Sequence, residues 1–378
     1  MLAKISPVFL LLLSLLTLTQ CKKDEIETVE DFDEYLASEM ERQKIPALAA
    51  LIFKENEILH EAYLGESNVE QSATLNANGV FLLASVSKLI TGTALLQLHE
   101  QGRFGLDEPI NDYLPFAVSV PNYSEQITFR MLLTHTSGIA DGAALDGQYY
   151  YGQDSPVALG DFLQNYLSTS GNLYDASDNF HDFAPGTQAE YSNIGSALIA
   201  LLVEEISQTD FNTYCKNNIF TPLGMSQTFW RLDEATQSGL PLVMPYNSTA
   251  SGFEAIGHYT FTDYPNGGLR TTARDMQRFL SALAQNGRAG NGFQLLQSAT
   301  VAAMLTPQIP DLDADAGLHT FRMNTEHNLW GHDGGEQGVA TIVAFNPSTK
   351  IGIVLFANEG EANLDAMLTE AYELSLKL

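Results

Sequence analysis

Residues 81–98 read FLLASVSKLITGTALLQL, and one residue in that run, Lys88, governs how the rest of the chain is read. It is the sole Asp, Glu, Lys or Arg between Glu70 and Glu100. An ammonium group in apolar surroundings is costly unless it has partners, so its presence needs a reason. Ser85 stands three residues earlier, and on a helix that spacing puts both side chains on one face. The segment 86–101 is apolar nearly all round, as a buried helix is, with Ser85 at its N-terminus. A lysine held among apolar groups loses proton affinity and can act as a base near neutral pH, which a serine hydroxyl needs before it can attack. Ser85-Val86-Ser87-Lys88 therefore reads as an S-x-x-K pairing of nucleophile and base. In isolation the same spacing also suits a helix-capping serine and a snorkelling lysine, so the remainder of the chain has to decide.

On either side of this run the hydrophobic patterns differ in period. Leu48 to Phe53 and Ile58 to Leu64 read as two strands around the polar turn Lys54 to Glu57. Gly338 to Phe345 and Lys350 to Ala357 read as two more, separated by Asn346-Pro347-Ser348-Thr349, and a last helix starts near Glu361. A short amphipathic helix carries Phe32, Tyr35, Leu36 and Met40 on one stripe and ends at Pro46. Between Ser85 and about Pro310 the patterns are helical, broken by Gly and Pro, and Thr272-Ala273-Arg274-Asp275 reads as a capping box opening a helix over 273–285. The Tyr-rich stretch Gln148 to Gln153, and the chain on to Phe183, reads as irregular loop of the sort that lines pockets. The order predicts an α+β fold: one antiparallel sheet built from both ends of the chain, flanked by helices and interrupted by a helical insertion. No repeat or linker divides residues 31–378, which form one domain in this reading.

Composition limits the functional classes. The chain has 378 residues and 45% hydrophobic content, enough for a sizeable core. Its 46 acidic against 18 basic residues give a net charge of −28, which repels phosphate and excludes nucleic acid as a partner. Near the start, Lys4 precedes the apolar stretch Pro7 to Leu18, too short to span a bilayer but suited to the core of an export signal over residues 1–20. Leu18-Thr19-Gln20-Cys21 resembles a bacterial lipoprotein signal, which implies a lipid on Cys21 and a charged tether over 21–30. The expected location is a bacterial membrane surface, periplasmic or external, reached through that anchor. Cys215 would then lack a disulfide partner and is expected to be a buried thiol.

Two further segments follow Ser85 and Lys88 in order: Tyr191-Ser192-Asn193, and His332-Asp333-Gly334-Gly335. Around them lie LLTHTSGI (132–139), PGTQAEYSNIG (185–195), PLGM (222–225) and GGLRTTARDM (267–276). Over roughly residues 31–360 this set resembles the serine β-lactamase and penicillin-binding protein superfamily, on the side of class C β-lactamases, D-stereospecific peptidases and related esterases. The resemblance implies a β-lactamase/transpeptidase-like fold and acyl transfer through Ser85. It implies that Lys88 and Tyr191 share the proton transfers, with Tyr191 supplying the leaving group. Asn193 would bind substrate and Lys88, and the backbone N–H groups of Ser85 and Gly335 would hold the oxyanion. His332, Gly334 and Gly335 occupy the place of the K-T-G strand segment and are expected to contact substrate. No cofactor is called for.

Histidine in place of the K-T-G lysine is the main departure. It is charged only part of the time near neutrality, so a substrate carboxylate would be held less firmly, and an esterase or D-peptidase is expected before an efficient β-lactamase. His135 is expected to be a structural hydrogen-bonding residue, and Ser87 to point away from Ser85. A metal site finds no support: His319, His327 and His332 form no H-E-x-x-H, and Asp311, Asp313 and Asp315 start an EF-hand pattern that fails at Ala316 and Arg322. No G-x-S-x-G is present. The reading is a serine hydrolase of the bacterial envelope that acts on a small-molecule or peptide substrate, an ester or amide such as a D-amino-acid peptide or a β-lactam. The competing reading is a non-catalytic envelope lipoprotein that binds cell-wall peptide or a protein partner, and the intact Ser85, Lys88 and Tyr191 favour the former.

Overall fold

The computed structural model describes residues 26–378; the export segment, Cys21 and the first part of the tether lie outside the described residues. Ile26, within the stretch expected to be tether, is buried. Thr28 then caps a helix: its hydroxyl accepts the Asp31 N–H at 3.1 Å, and the Asp31 carboxylate accepts the Thr28 N–H at 2.9 Å. Thr28, expected to lie in the tether, is thus half of a capping box with Asp31.

The five longest helices are α1 (Val29–Gln43), α2 (Ser87–Glu100), α3 (Asn193–Ser207), α4 (Ala273–Ala284) and α5 (Asp365–Ser375). Seven strands form the main sheet: β1 (Ala47–Lys54), β2 (Glu57–Asn68), β3 (Ala73–Thr74), β4 (Phe321–Asn324), β5 (Leu329–Glu336), β6 (Val339–Phe345) and β7 (Ile351–Ala357). Their spatial order is β4-β5-β6-β7-β1-β2-β3, antiparallel throughout. The two ends of the chain meet in the middle, where Ile52 of β1 faces Ile353 of β7. The α+β architecture expected from the sequence is the one observed.

Strands β1, β6 and β7 are buried on both faces, which is why they read as nearly continuous apolar runs. Alternate residues serve two cores. Leu51, Phe53, Val354 and Phe356 face the helical insertion, where α4 packs, whereas Ile52, Ile353 and Leu355 face Phe32 and Leu36 of α1 and Met367 and Leu368 of α5. Each such side chain, fully buried, contributes about 1.5–3 kcal/mol.

Two local expectations need correction, and two strands escaped the hydrophobic pattern. Helix α4 has the predicted cap, with Thr272 accepting the Asp275 N–H at 3.2 Å, but the Asp275 carboxylate accepts the Gln227 N–H at 2.7 Å rather than closing the box. The stretch from Gln148 is not irregular throughout: Tyr149–Tyr151 pairs with Tyr259–Phe261, and Leu159–Leu167 is helical. Strands β4 and β5 carry no alternating pattern, because β5 reads LWGHDGGE, in which glycine stands where apolar side chains would mark a face. Cys215 is buried, and burial pushes its thiol well up.

Candidate active site

The site begins with a turn. Phe81–Leu82 pairs with Arg270–Thr271, and the chain then enters a single 3₁₀ turn, Ala84–Val86, immediately before α2. Ala84 adopts φ +49°, a left-handed conformation uncommon outside glycine and of the kind found where a backbone is held for function. Ser85 therefore sits on the turn ahead of the α-helix, and Lys88 in the helix's first turn. From Ser87 to Leu98 every residue of α2 is buried, so the lysine has no route to solvent.

Lys88 Nζ lies 3.1 Å from Ser85 Oγ, 2.7 Å from Asn193 Oδ1 and 2.8 Å from the Asn266 carbonyl. The last two atoms can only accept. A neutral amine has two N–H groups and one lone pair, so it spends both donors on them and turns the lone pair toward the serine hydroxyl. Burial draws the Lys88 ammonium down to about 7, against the pull of Asp141, Asp263, Asp333 and Glu336. Asn193 is oriented by Asp141: its Nδ2 donates to Asp141 Oδ2 at 2.9 Å, which turns Oδ1 toward the lysine. The same carboxylate accepts the Asn193 and Ile194 N–H groups at 2.9 and 3.0 Å, using otherwise free donors at the start of α3. Ser192 caps that helix by accepting the Gly195 N–H at 2.8 Å.

Tyr191, just before α3, is 42% exposed, with its ring centroid 4.8 Å from Lys88 Nζ. Burial of the hydroxyl raises its pKa, and a hydrogen bond with Ser85 opposes that only in part, so the phenol is a proton donor near neutral pH. Its ring stacks on His135 at 4.4 Å, and His135 stacks on His319 at 5.2 Å. His135 Nδ1 accepts the Ser192 N–H at 3.2 Å, in keeping with its expected structural role. Ser87 points away from Ser85 and accepts the Leu269 N–H at 3.1 Å.

The His332 segment is divided by the structure. Gly335 lines the cavity, and a Cβ there would meet open space. At Gly334 a Cβ would fall 2.5 Å from the Leu83 carbonyl and 2.9 Å from Ser85 N, so the glycine lets β5 approach the turn that carries Ser85. Thr341 of β6 secures the same turn by donating to the Leu83 carbonyl at 2.7 Å. His332, expected to contact substrate, is not among the residues that line this cavity. It is 2% exposed, packs edge-on against Tyr191 and Phe321, and donates from Nδ1 to the Asp333 carbonyl at 2.6 Å. Burial and the nearby Lys88 hold it well below the ordinary imidazole range, so it is neutral. Although His135, His319 and His332 come together, no three His, Cys, Asp or Glu side chains among the described residues are arranged to hold a metal ion.

A cavity of about 170 Å³ opens beside Ser85, lined also by Asn193, Asp263, Asn266, Gly335 and Glu336. The sequence motifs do not single out Asp141, Asp263, Asn266 or Glu336. For Asp263 a signal exists: it is the sole Asp, Glu, Lys or Arg between Glu254 and Arg270, as Lys88 is in its own run. Asp141 carries none, since its partners at the start of α3 lie over fifty residues away.

The family profile described as Beta-lactamase matches residues 32–376. Among curated relatives, Protein flp of Staphylococcus aureus strain MRSA252 is 23% identical over 90% of this chain and 64% of its own length, so the chain spans a little under two thirds of that relative. The Beta-lactamase of Yersinia enterocolitica is 25% identical over 92% of this chain and 91% of its own length. The crystal structure of a penicillin binding protein from Bacillus halodurans superposes with a TM-score of 0.71 at 26% identity, covering 90% of this chain and 99% of that one. With a matching profile across nearly its whole described length and this fold around Ser85 and Lys88, the chain belongs to the Beta-lactamase family.

Proposed function

We propose that the protein is a serine hydrolase that forms an acyl-enzyme on Ser85 from an ester or amide substrate. The observation that carries this reading is Lys88 Nζ placed 3.1 Å from Ser85 Oγ, with its other two partners, Asn193 Oδ1 and the Asn266 carbonyl, able only to accept, so that the neutral amine turns its lone pair to the serine. Lys88 takes the hydroxyl proton as Oγ attacks the carbonyl carbon, and the N–H groups of Ser85 and Gly335 hold the resulting oxyanion. The tetrahedral species then collapses, the leaving group departs with the Tyr191 proton, and Lys88 returns its proton to the phenolate. Water repeats the sequence on the acyl ester and frees Ser85. Esters and peptides are favoured over β-lactams, because a neutral, buried His332 offers no cation to a substrate carboxylate.

Treatment with a fluorophosphonate tests the nucleophile. Intact mass should rise by one phosphonyl group, peptide mapping should place it on Ser85, and Ser85→Ala should abolish it. Unchanged labelling of Ser85→Ala would sink the mechanism, and an unlabelled, folded wild type would favour the non-catalytic lipoprotein.

The envelope location rests on the sequence of residues 1–21, and we propose that Cys21 carries a lipid. No described helix is long and apolar enough to cross a membrane. Metabolic incorporation of a fatty-acid analogue in a bacterial host should label wild type and not Cys21→Ala; a Cys21→Ala protein that still labels and sediments with membranes refutes the anchor.

A further inference from the structure

We infer that the cavity beside Ser85 selects a substrate carrying a positive charge, an ammonium or guanidinium group, close to the scissile bond. The inference rests on Ser85 as the nucleophile and concerns what surrounds it.

Two carboxyl groups line the cavity, Asp263 and Glu336. Asp263 is only 6% exposed; its Oδ2 accepts from Asn266 Nδ2 at 2.7 Å, while Oδ1 receives no hydrogen bond from another residue among the described residues. Glu336 directly follows Gly335 and accepts the Tyr149 hydroxyl at 2.8 Å. Burial holds each acid above the usual carboxylate range, the charges of Asp141 and Glu336 raise Asp263 further, and Lys88 pulls both acids partly back. No Lys, Arg or His lines the cavity with them. Lys88 lies beneath with its partners fixed, Arg270 is buried and donates to the Gly268 and Tyr259 carbonyls, and His332 is sealed off and neutral. A substrate carboxylate would thus meet two acids in the lining, with Lys88 already engaged by Ser85, Asn193 and Asn266. A cation would meet an Asp263 oxygen that no other described residue engages, a second carboxylate, and the rings of Tyr149 and Phe261, which line the same cavity. Repulsion between a buried and a partly buried acid is relieved when a ligand cation sits between them, and that relief is available only to a charged substrate.

The test compares p-nitrophenyl esters of matched acyl length that end in an ammonium, a methyl or a carboxylate group. In wild type, kcat/KM should be at least tenfold higher for the ammonium ester than for the methyl ester, and lowest for the carboxylate. Glu336→Gln and Asp263→Asn should each bring the ammonium-to-methyl ratio toward unity; Glu336 is partly exposed, so its variant reads the effect even if the buried Asp263→Asn does not fold. Equal rates for the three esters, or a preference for the carboxylate, in a protein whose Ser85 takes the fluorophosphonate would overturn this inference alone. If Ser85 is not labelled and no ester is cleaved, the hydrolase reading fails, and calorimetric binding of the same esters to Ser85→Ala protein decides the cation preference: tighter binding of the ammonium ester upholds it, and equal binding refutes it.

Discussion

At the scale of single residues, Lys88 shows how a conflict in the sequence marks chemistry. A lone cation in an apolar run signals a buried, partnered amine, and the three atoms around Nζ are those partners. The pH dependence follows from its depressed pKa. Only the neutral amine can take the Ser85 proton, so kcat/KM for a neutral ester should rise about tenfold per pH unit on the acid side and level off above about 7. Asp141 gives the largest of the carboxylate contributions that raise the Lys88 pKa, so Asp141→Asn should move that limb to lower pH. A profile that keeps its midpoint and loses only amplitude would show that Asp141 acts through Asn193 and the start of α3 alone. Ser85, Lys88, Tyr191 and Asn193 were legible because each lies in a short local pattern. Asp141 and Glu336 were not, because what brings each to the site is a neighbour far away in sequence: α3 for Asp141, and Tyr149, nearly two hundred residues from Glu336.

At the scale of elements, the nucleophile's turn is held between α2 and β5, and glycine sets how closely they approach. Gly334→Ala should force apart the Leu83 carbonyl, Ser85 N and Thr341, with a loss of about 1–3 kcal/mol in stability and a marked fall in ester hydrolysis. Gly335→Ala, whose Cβ meets open space, should keep the wild-type Tm. Equal melting temperatures for the two variants would show that the close approach at Gly334 carries no weight. The hairpin β1–β2, the strands β6 and β7, and α4 were readable from hydrophobic period and turn residues. Strand β5 was not, since its residues were chosen for proximity to Ser85 and to β6 rather than for an apolar face.

At the scale of the whole molecule, the sheet separates two cores, and the strands at its centre answer to both. Leu355→Ala and Phe356→Ala, adjacent residues on opposite faces of β7, should each cost several kcal/mol, about 2–5 for leucine and 3–5 for phenylalanine, measured by denaturant unfolding. If either is tolerated, one face of β7 is not packed as the fold requires. By itself the sequence determined the two-ended sheet and the buried helix α2, and it offered Ser85, Lys88 and Tyr191 as candidate nucleophile, base and proton donor, because each lies in a pattern a few positions long. Only the tertiary structure decided that His332 is buried against Tyr191, that Gly334 lies where a Cβ would strike the Ser85 turn while Gly335 lines the cavity, and that Asp263 and Glu336 line that same cavity. The physical reason is that burial and charge coupling act through space: whether an imidazole or a carboxyl meets water, a cation or another acid depends on which distant segments fold against it.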